Sequence, residues 1–422
     1  MRRLFYFCTL LYAMKIAIEK SQIAIESRLF ITGSKSETNR LLLLQALYPE
    51  IAIENASESD DSHAMRNALS ATSEVIDIHH AGTAMRFLTA YFSIQENRTV
   101  TLTGSQRMQE RPIRILVEAL RQLGAQIDYV KNEGFPPLKI VGKKLNANKV
   151  TLDAGVSSQY ISALLLIAPK LGNGLEIRLE GVVTSVPYLK MTLALLKELG
   201  VECAFADNRI AVKPANEIKK TKLVVESDWS SASYFYSIVA LSHIGTRIEL
   251  SSFKADSLQG DSALDRIYQD FGVVTSYSAN SIVLRKAAEC RFSEVNYDLS
   301  PTPDIAQTIA VTCFGLGIGC RLEGLHTLKI KETDRLEALK TELSKFGAKT
   351  EVTHDSLSLA ASQTIVPNVT VDTYNDHRMA MAFAPLGLRT SVAINDAEVV
   401  TKSFPTFWSD LQKLGFTLER YI

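Results

Sequence analysis

Cysteine is sparse in this chain. Cys8, Cys203, Cys290, Cys313 and Cys320 are the five in 422 residues, and none has the short spacing of a metal knuckle. So thin and odd-numbered a scatter argues against a disulfide scaffold and suits a reducing cytoplasm. Net charge is lacking too: Lys plus Arg and Asp plus Glu each number 46. A chain without a basic excess is a poor general binder of nucleic acid, so any anion must be held by a few local cations. Long apolar runs are also missing. The nearest candidate, Leu4 to Ala13 behind Arg2-Arg3, resembles a short signal peptide, but no clear small-residue cleavage site follows and the run is too short to span a bilayer. Met14 is a possible second start, which would make residues 1–13 a mis-assigned extension; a targeting or disordered segment and a structured strand are the other readings.

What is present points to packed domains. An apolar fraction of 46% is ample for cores, and the length suggests two or more of them. One short pattern recurs: an amphipathic helix end, a glycine, then an alternating strand. It appears at Leu120–Gly124, Leu196–Gly200, Tyr268–Gly272, Leu343–Gly347 and Leu411–Gly415, at intervals of roughly 70 to 75 residues. That interval is too long for a solenoid repeat and suits a βαβ unit with an added hairpin. A sixth copy ends near Ala71 without its glycine. Ser157-Ser158-Gln159-Tyr160 and Ser230 to Tyr234 both open apolar helices, and six units divide into two similar halves with a boundary near Glu226 to Asp228.

Several segments could carry chemistry. Lys331-Glu332-Thr333-Asp334-Arg335 follows an apolar-rich stretch; on a helix, Lys331 and Arg335 would stand one turn apart and repel unless an anion lay between them. The alternative is a solvated helix start. Gly33-Ser34-Lys35-Ser36 turns from a strand into a helix start where backbone N–H groups and Lys35 would meet an anion; it is not a Walker A loop, since Arg28 stands where that motif needs glycine. Gly82 permits close backbone approach and Thr83 can cap the next helix. Arg107 and Arg111 flank Met108 to Glu110, with Pro112 suited to a first helical turn. Ser157 is either an N-cap or a ligand contact. Asp304 is a cap or a base. His377 reads as a satisfied structural histidine, whereas Arg378, at the head of an apolar helix, needs an anionic partner. Lys402 can be read as an ordinary surface lysine.

The segments GSKSETNR, AGTAMR, RMQERPI, SSQY, SVPY, PDIAQT, KETDR, DHRMAM and TKSFP occur in this order. Together they resemble the 5-enolpyruvylshikimate-3-phosphate synthase family over about residues 14 to 422. The resemblance implies an α/β fold of two similar domains, each of three βαβαββ units arranged as an inside-out α/β barrel, with the active site in the cleft between them. Residues 1–33 with 227–422 would form a discontinuous domain around an inserted domain, 34–226.

The implied reaction moves the enolpyruvyl group of phosphoenolpyruvate to the 5-hydroxyl of shikimate 3-phosphate, with no metal and no organic cofactor. By the same resemblance Lys35, Ser36, Arg40, Ser157, Ser158, Gln159, Ser185, Tyr188, Asp304 and Lys331 would hold shikimate 3-phosphate. Lys35, Gly82, Arg111, Gln159, Arg335, Arg378 and Lys402 would hold phosphoenolpyruvate. Asp304 would be the base, Glu332 the acid, and Lys35 would join them in the catalytic set. A cytoplasmic monomer without nucleic-acid or membrane partners is implied. His80, Thr327 and Phe87 depart from the family's usual asparagine, asparagine and proline. Gly82 keeps the small residue that leaves room for glyphosate.

Two rivals remain. UDP-N-acetylglucosamine enolpyruvyl transferase shares the fold but needs a reactive loop cysteine, and Cys8 and Cys203 are poorly placed for one. A non-catalytic anion-binding paralogue would draw its support from His80 and Thr327.

Overall fold

A computed structural model describes residues 14–153, 157–181 and 186–421. The readings of residues 1–13 and of Ser185 lie outside the described residues.

Residues 149–212 illustrate the building block. Strand Lys149–Asp153 leads into helix Ser158–Ile167, strand Leu175–Glu180, helix Val186–Glu198 and the hairpin Cys203–Ala206/Arg209–Val212. The first two strands are parallel (Val150 opposite Ile177) and the hairpin adds two antiparallel strands. Five four-stranded sheets repeat this order of one parallel and two antiparallel pairings. In one of them the N-terminal strand Lys15–Ile18 inserts between Val392–Ile394 and Leu418–Tyr421, so the first strand completes the last unit. The sixth sheet has only two strands, Ala52–Glu54 beside Lys222–Val224.

Four of the recurrent glycines end helices as expected, and Gly272 closes the turn that follows the short helix Leu264–Ile267. Gly124, Gly200, Gly272, Gly347 and Gly415 all have positive φ, between 77° and 111°, where a side chain is strained. The sixth copy lacks its glycine because it lacks its hairpin: helix Asp60–Ser70 ends at Ala71 with extended backbone and the chain proceeds to the next unit's strand.

Each half wraps its sheets around three buried helices. In one half these are Lys35–Leu47, Gly82–Ser93 and Ser158–Ile167; in the other Trp229–Ala240, Ala306–Leu316 and His377–Phe383. Every residue from Ala306 to Gly315 is buried. A helix apolar on all sides can be covered only by other elements, which places these six inside and the sheets outside. Outer helices such as Arg114–Gln122 bury one face only. The buried apolar residues form two separate cores, one drawn from positions 16–31 and 229–416, the other from 41–225.

The chain passes between the cores in two adjacent segments. Gly33 pairs with Ser227, Ser34 N–H donates to Glu226 C=O at 2.8 Å, and the Ser227 hydroxyl donates to Ile31 C=O at 2.7 Å. The buried Glu226 carboxylate accepts from Trp229 Nε1, Lys254 N–H and Ser257 Oγ. Gly33 admits no larger residue, since a Cβ there would lie 1.8 Å from the Asn55 carbonyl oxygen.

Two alanine substitutions should separate conformational from spatial cost. At Gly347 a Cβ would make ordinary contact, 3.4 Å from Val366 Cγ2, at a φ of +91°. Gly347→Ala should therefore cost about 1 kcal/mol in urea unfolding. Gly33→Ala must push the crossing segments away from Asn55 and should cost clearly more. Equal losses in the two variants would contradict this account.

Candidate active site

In a parallel strand–helix–strand unit, the helix begins just beyond the carboxyl end of a strand, where ligands commonly bind. The buried helices here bring such ends together. Ser34 caps helix Lys35–Leu47, its hydroxyl accepting from Glu37 N–H at 3.5 Å. Lys35, in the first turn, lies 3.1 Å from Asp61. Arg40, one turn on, is buried and donates to Thr192 Oγ1, Ser162 Oγ and the Ser36 carbonyl. Its guanidinium also lies over the rings of Phe87 and Tyr188, at 5.4 and 5.9 Å. No carboxylate pairs with Arg40 among the described residues, and burial lowers its pKa to about 10. A buried cation with only neutral partners is well prepared for an anion.

The second helix start differs from expectation. Helix Gly82–Ser93 has no side-chain cap; Thr83 instead accepts from Gln159 Nε2 at 3.3 Å. A Cβ on Gly82 would meet Arg111 Nη1 at 2.6 Å, so glycine lets that guanidinium pack against the helix start. Pro112 precedes its helix rather than entering it: the helix starts at Arg114, and the Pro112 carbonyl accepts from Arg86 Nη2 and Tyr160 Oη. Ser157 does cap helix Ser158–Ile167, accepting from Gln159 N–H at 3.4 Å, and Ser158 is buried beside it.

The other half contributes a dense ion cluster. Asp304 is no cap; it sits in the turn Pro303–Ile305 that runs into helix Ala306–Leu316. Lys331 and Arg335 do not share a helix face, because Asp334 caps the helix that begins at Arg335, accepting from Leu336 and Glu337 N–H groups. They meet nonetheless through an anion, the Asp304 carboxylate: Lys331 Nζ is 3.5 Å and Arg335 Nη1 2.9 Å from its Oδ1. Arg335 is 2% exposed and is held by three carboxylates, with Asp376 at 2.6 Å and Glu332 at 2.9 Å completing the set. Arg378 finds its anionic partner in Asp304 Oδ2 at 3.5 Å and donates to the Asp304 carbonyl at 3.1 Å. Lys402 is buried rather than on the surface; its Nζ lies 3.0 Å from Glu332 and donates to the His80 carbonyl at 3.4 Å.

His377 is not the satisfied structural histidine expected. Both ring nitrogens are buried without a hydrogen-bond partner among the described residues. Burial, then the nearby Lys35 charge, holds it well below the usual histidine range, hence neutral. Among the departures, Phe87 is buried beneath Arg40, and the Thr327 hydroxyl is buried without a partner among the described residues. Burial and Lys402 lower the His80 pKa.

Burial alone would raise both central carboxyls, yet the surrounding cations outweigh it. Lys331, Arg378 and Arg335 hold Asp304 well below the usual carboxylate range. Lys402, Arg335 and Arg111 do the same for Glu332. Arg111 and Lys402 belong to elements of different halves, and Arg107 of the first half donates to the Lys331 carbonyl at 3.3 Å. Lys35, Arg111, Arg335 and Arg378 therefore lie around one site. Sequence reasoning missed the structural roles of Asp61 and Asp376. Asp376 stands next to two basic residues at a helix head, which was a usable signal; Asp61 lies in a charged run, Glu58 to Asp61, that reads as solvated.

Comparison with known proteins gives a consistent pattern. The family model for EPSP synthase (3-phosphoshikimate 1-carboxyvinyltransferase) matches residues 69–411. A 3-phosphoshikimate 1-carboxyvinyltransferase of Bacteroides fragilis is 45% identical over 94% of this chain and 97% of its own length. One from Haemophilus influenzae is 35% identical over 93% of this chain and 97% of its own. In three dimensions the chain is similar to EPSP synthase from Acinetobacter baumannii, with a TM-score of 0.78 at 20% identity, covering 97% of this chain and all of that one. It is also similar to the enolpyruvyl transferase NikO from Streptomyces tendae, with a TM-score of 0.72 at 12% identity over 97% of this chain and 98% of that one. These two likenesses establish the enolpyruvyl transferase fold.

Removing the arginine at the centre of the cluster tests its electrostatics. Arg335→Met leaves three carboxylates facing one another and should cost about 3–5 kcal/mol at pH 7 in denaturant unfolding. Depressed carboxyls contribute stability above their unfolded pKa of about 4 and lose it as pH falls toward their folded values. The variant lacks that contribution, so the gap between it and the parent should narrow below about pH 4. A gap that widens with acid would contradict the assignment.

Proposed function

The chain belongs to the EPSP synthase family, and on that premise we propose how its residues transfer the enolpyruvyl group of phosphoenolpyruvate to the 5-hydroxyl of shikimate 3-phosphate, releasing phosphate. The observation that carries the assignment of roles is Arg335. One guanidinium bridges Asp304 and Glu332, each at 2.9 Å, fixing two carboxyls within a ring of cations. Both substrates bear a phosphate and a carboxylate, and the ring supplies their counter-charges.

Shikimate 3-phosphate is held by Lys35, Ser36, Arg40, Ser157, Ser158, Gln159, Ser185, Tyr188, Asp304 and Lys331. The full complement for phosphoenolpyruvate is Lys35, Gly82, Arg111, Gln159, Arg335, Arg378 and Lys402. Asp304 takes the proton from the 5-hydroxyl as its oxygen bonds to C2 of phosphoenolpyruvate, and Glu332 delivers a proton to the methylene carbon, C3. The tetrahedral adduct then loses phosphate from C2, its departing oxygen taking the proton held by Asp304, while a C3 proton returns to Glu332, which restores the double bond and both carboxyls. Each acid–base contribution is worth about 10² to 10⁴ in rate, and holding two anions in register contributes more.

The depressed carboxyls bear on this scheme. As they stand, Asp304 is a weak base and Glu332 lacks the proton an acid needs. Substrate phosphate and carboxylate groups set among Lys331, Arg378, Lys402 and Arg111 offset those positive charges. Both pKa values then rise toward the working range, so binding of the two anions prepares the chemistry.

The two separate cores support a division into residues 1–33 with 227–422 around 34–226. On the family likeness we assign the enzyme to the cytoplasm as a monomer.

Coupled phosphate release should require both substrates together. Asp304→Ala should still bind both ligands while kcat falls by about 10² to 10⁴; full activity in that variant would overturn the role of Asp304. Glyphosate should inhibit at micromolar concentration in competition with phosphoenolpyruvate, and unaffected turnover at millimolar glyphosate would refute the reading of Gly82. Turnover with a UDP-amino sugar in place of shikimate 3-phosphate would favour the sister reaction.

A further inference from the structure

Asp261 lies outside the machinery assigned above, yet it is almost wholly buried beside it. It belongs to the short turn Gly260–Ala263, and its side chain is 3% exposed. One carboxylate oxygen, Oδ2, accepts from the Ser230 hydroxyl; the other, Oδ1, accepts from the Thr302 hydroxyl. Ser230 lies in the first turn of helix Trp229–Ala240, and Thr302 immediately precedes the Pro303-Asp304 turn. Ser230 Oγ in turn accepts from Arg378 Nη2 at 3.2 Å, and Arg378 reaches Asp304. The contacts close a circuit from Asp261 through Ser230, Arg378 and Asp304, then along the backbone to Thr302 and back to Asp261.

We propose that Asp261 is a positioning residue that sets Arg378 and Asp304 in register, acting through Ser230 and Thr302. The direction of the hydrogen bonds requires this particular side chain. A serine hydroxyl has one hydrogen; Ser230 gives it to Asp261 and is left with lone pairs facing Arg378. Thr302 likewise gives its hydrogen to Asp261. Both oxygens must therefore accept, which an ionised carboxylate does and an amide does not. Burial and the neighbouring Asp304 charge raise the Asp261 pKa on balance, with Arg378 and the two hydroxyls opposing them. Burying a carboxylate beside another carboxylate is a poor way to pin a fold, because an apolar residue serves as well. It is a direct way to polarise two hydroxyls toward chosen partners. The turn itself is tightly held: a Cβ on Gly260 would lie 3.0 Å from Pro187 Cβ of the first half and 3.1 Å from the Pro301 carbonyl.

The inference rests on the roles proposed for Asp304 and Arg378, and the experiment separates the two claims. Phosphate release is measured with both substrates for the parent, Asp261→Asn, Ser230→Ala and the double variant, each checked for cooperative thermal unfolding. Asn is isosteric but turns one acceptor into a donor, so one hydroxyl must reverse. Asp261→Asn should lower kcat/KM for phosphoenolpyruvate about 10- to 100-fold, the scale of a small misplacement of reacting groups. Ser230→Ala should lower it by a similar factor, and the double variant should be no worse than the poorer single one, because both act along the same path. A residue that merely supports the fold would lower the melting temperature and leave kcat and KM per folded molecule unchanged.

Parental constants in a folded Asp261→Asn enzyme, or effects that multiply in the double variant, overturn the inference. If Asp261→Asn does not fold, Ser230→Ala and Thr302→Val carry the test, and parental constants in both overturn it. A parent that releases no phosphate sinks the reaction assignment along with the inference; an active parent beside an unaffected Asp261→Asn enzyme sinks the inference alone.

Discussion

A helix buried on every side can meet a polar ligand only at its ends. This constraint organises the molecule. Helices such as Ala306–Leu316 and Ser158–Ile167 are covered all round by neighbouring helices and sheets, so their sequences are free to be uniformly apolar except at their first turns. The polar groups are concentrated there: Lys35 and Ser36, Gly82 and Thr83, Ser157 and Ser158, Ser230, Asp304, Arg378. Such ends also direct their first backbone N–H groups and the positive end of the helix dipole outward, which favours anions before any charged side chain is counted. The loops before the second helices of several units add Arg111, Lys331, Glu332 and Lys402 to the same region.

So many cations in one buried region would repel without internal partners. Asp61, Asp304, Glu332 and Asp376 answer Lys35, Lys331, Arg335, Arg378 and Lys402 within 3.5 Å. Arg40 and Arg111 are left without carboxylates among the described residues. The site is thus partly neutralised, with positive charge to spare for ligands. The same arrangement explains why its carboxyls are depressed: the charges that stabilise the site without substrate are those that oppose proton uptake by Glu332. A binding event that adds negative charge acts on both at once, which couples occupancy of the site to readiness for proton transfer.

The repeating helix–glycine–strand pattern made the architecture legible because a positive-φ glycine and an alternating strand are local signals. Arg378 was legible for a similar reason, since a guanidinium heading an apolar helix must find an anion. Reading Lys331 through Arg335 as one helix failed because Asp334 competes for the cap, and capping is decided by a side chain that can equally be solvated. Asp61 could not be read at all. Its partner Lys35 is far away in sequence, and only the packing of two helices makes that pair. His377 and Lys402 each read as unremarkable residue types in ordinary contexts, and their burial is a tertiary fact.

Two of the departures from sixfold repetition fall where the two halves join. The unit containing helix Lys35–Leu47 has no hairpin, and strand Lys222–Val224, from the far end of the same half, supplies its second strand. Another unit is split: strand Glu26–Leu29 pairs with Arg247–Ser251, with the whole inserted half between them in sequence. Both irregularities follow from threading one compact half into a loop of the other. The two crossing segments must then lie side by side, and Gly33, Ser34, Glu226 and Ser227 bond them to each other. Glu37 ties the crossing to the first site helix, its carboxylate accepting from Glu226 N–H while burial raises its pKa to about 7. Lys35 is two residues from that contact. The position of the first lysine in the site is therefore set by the same hydrogen bonds that hold the halves together.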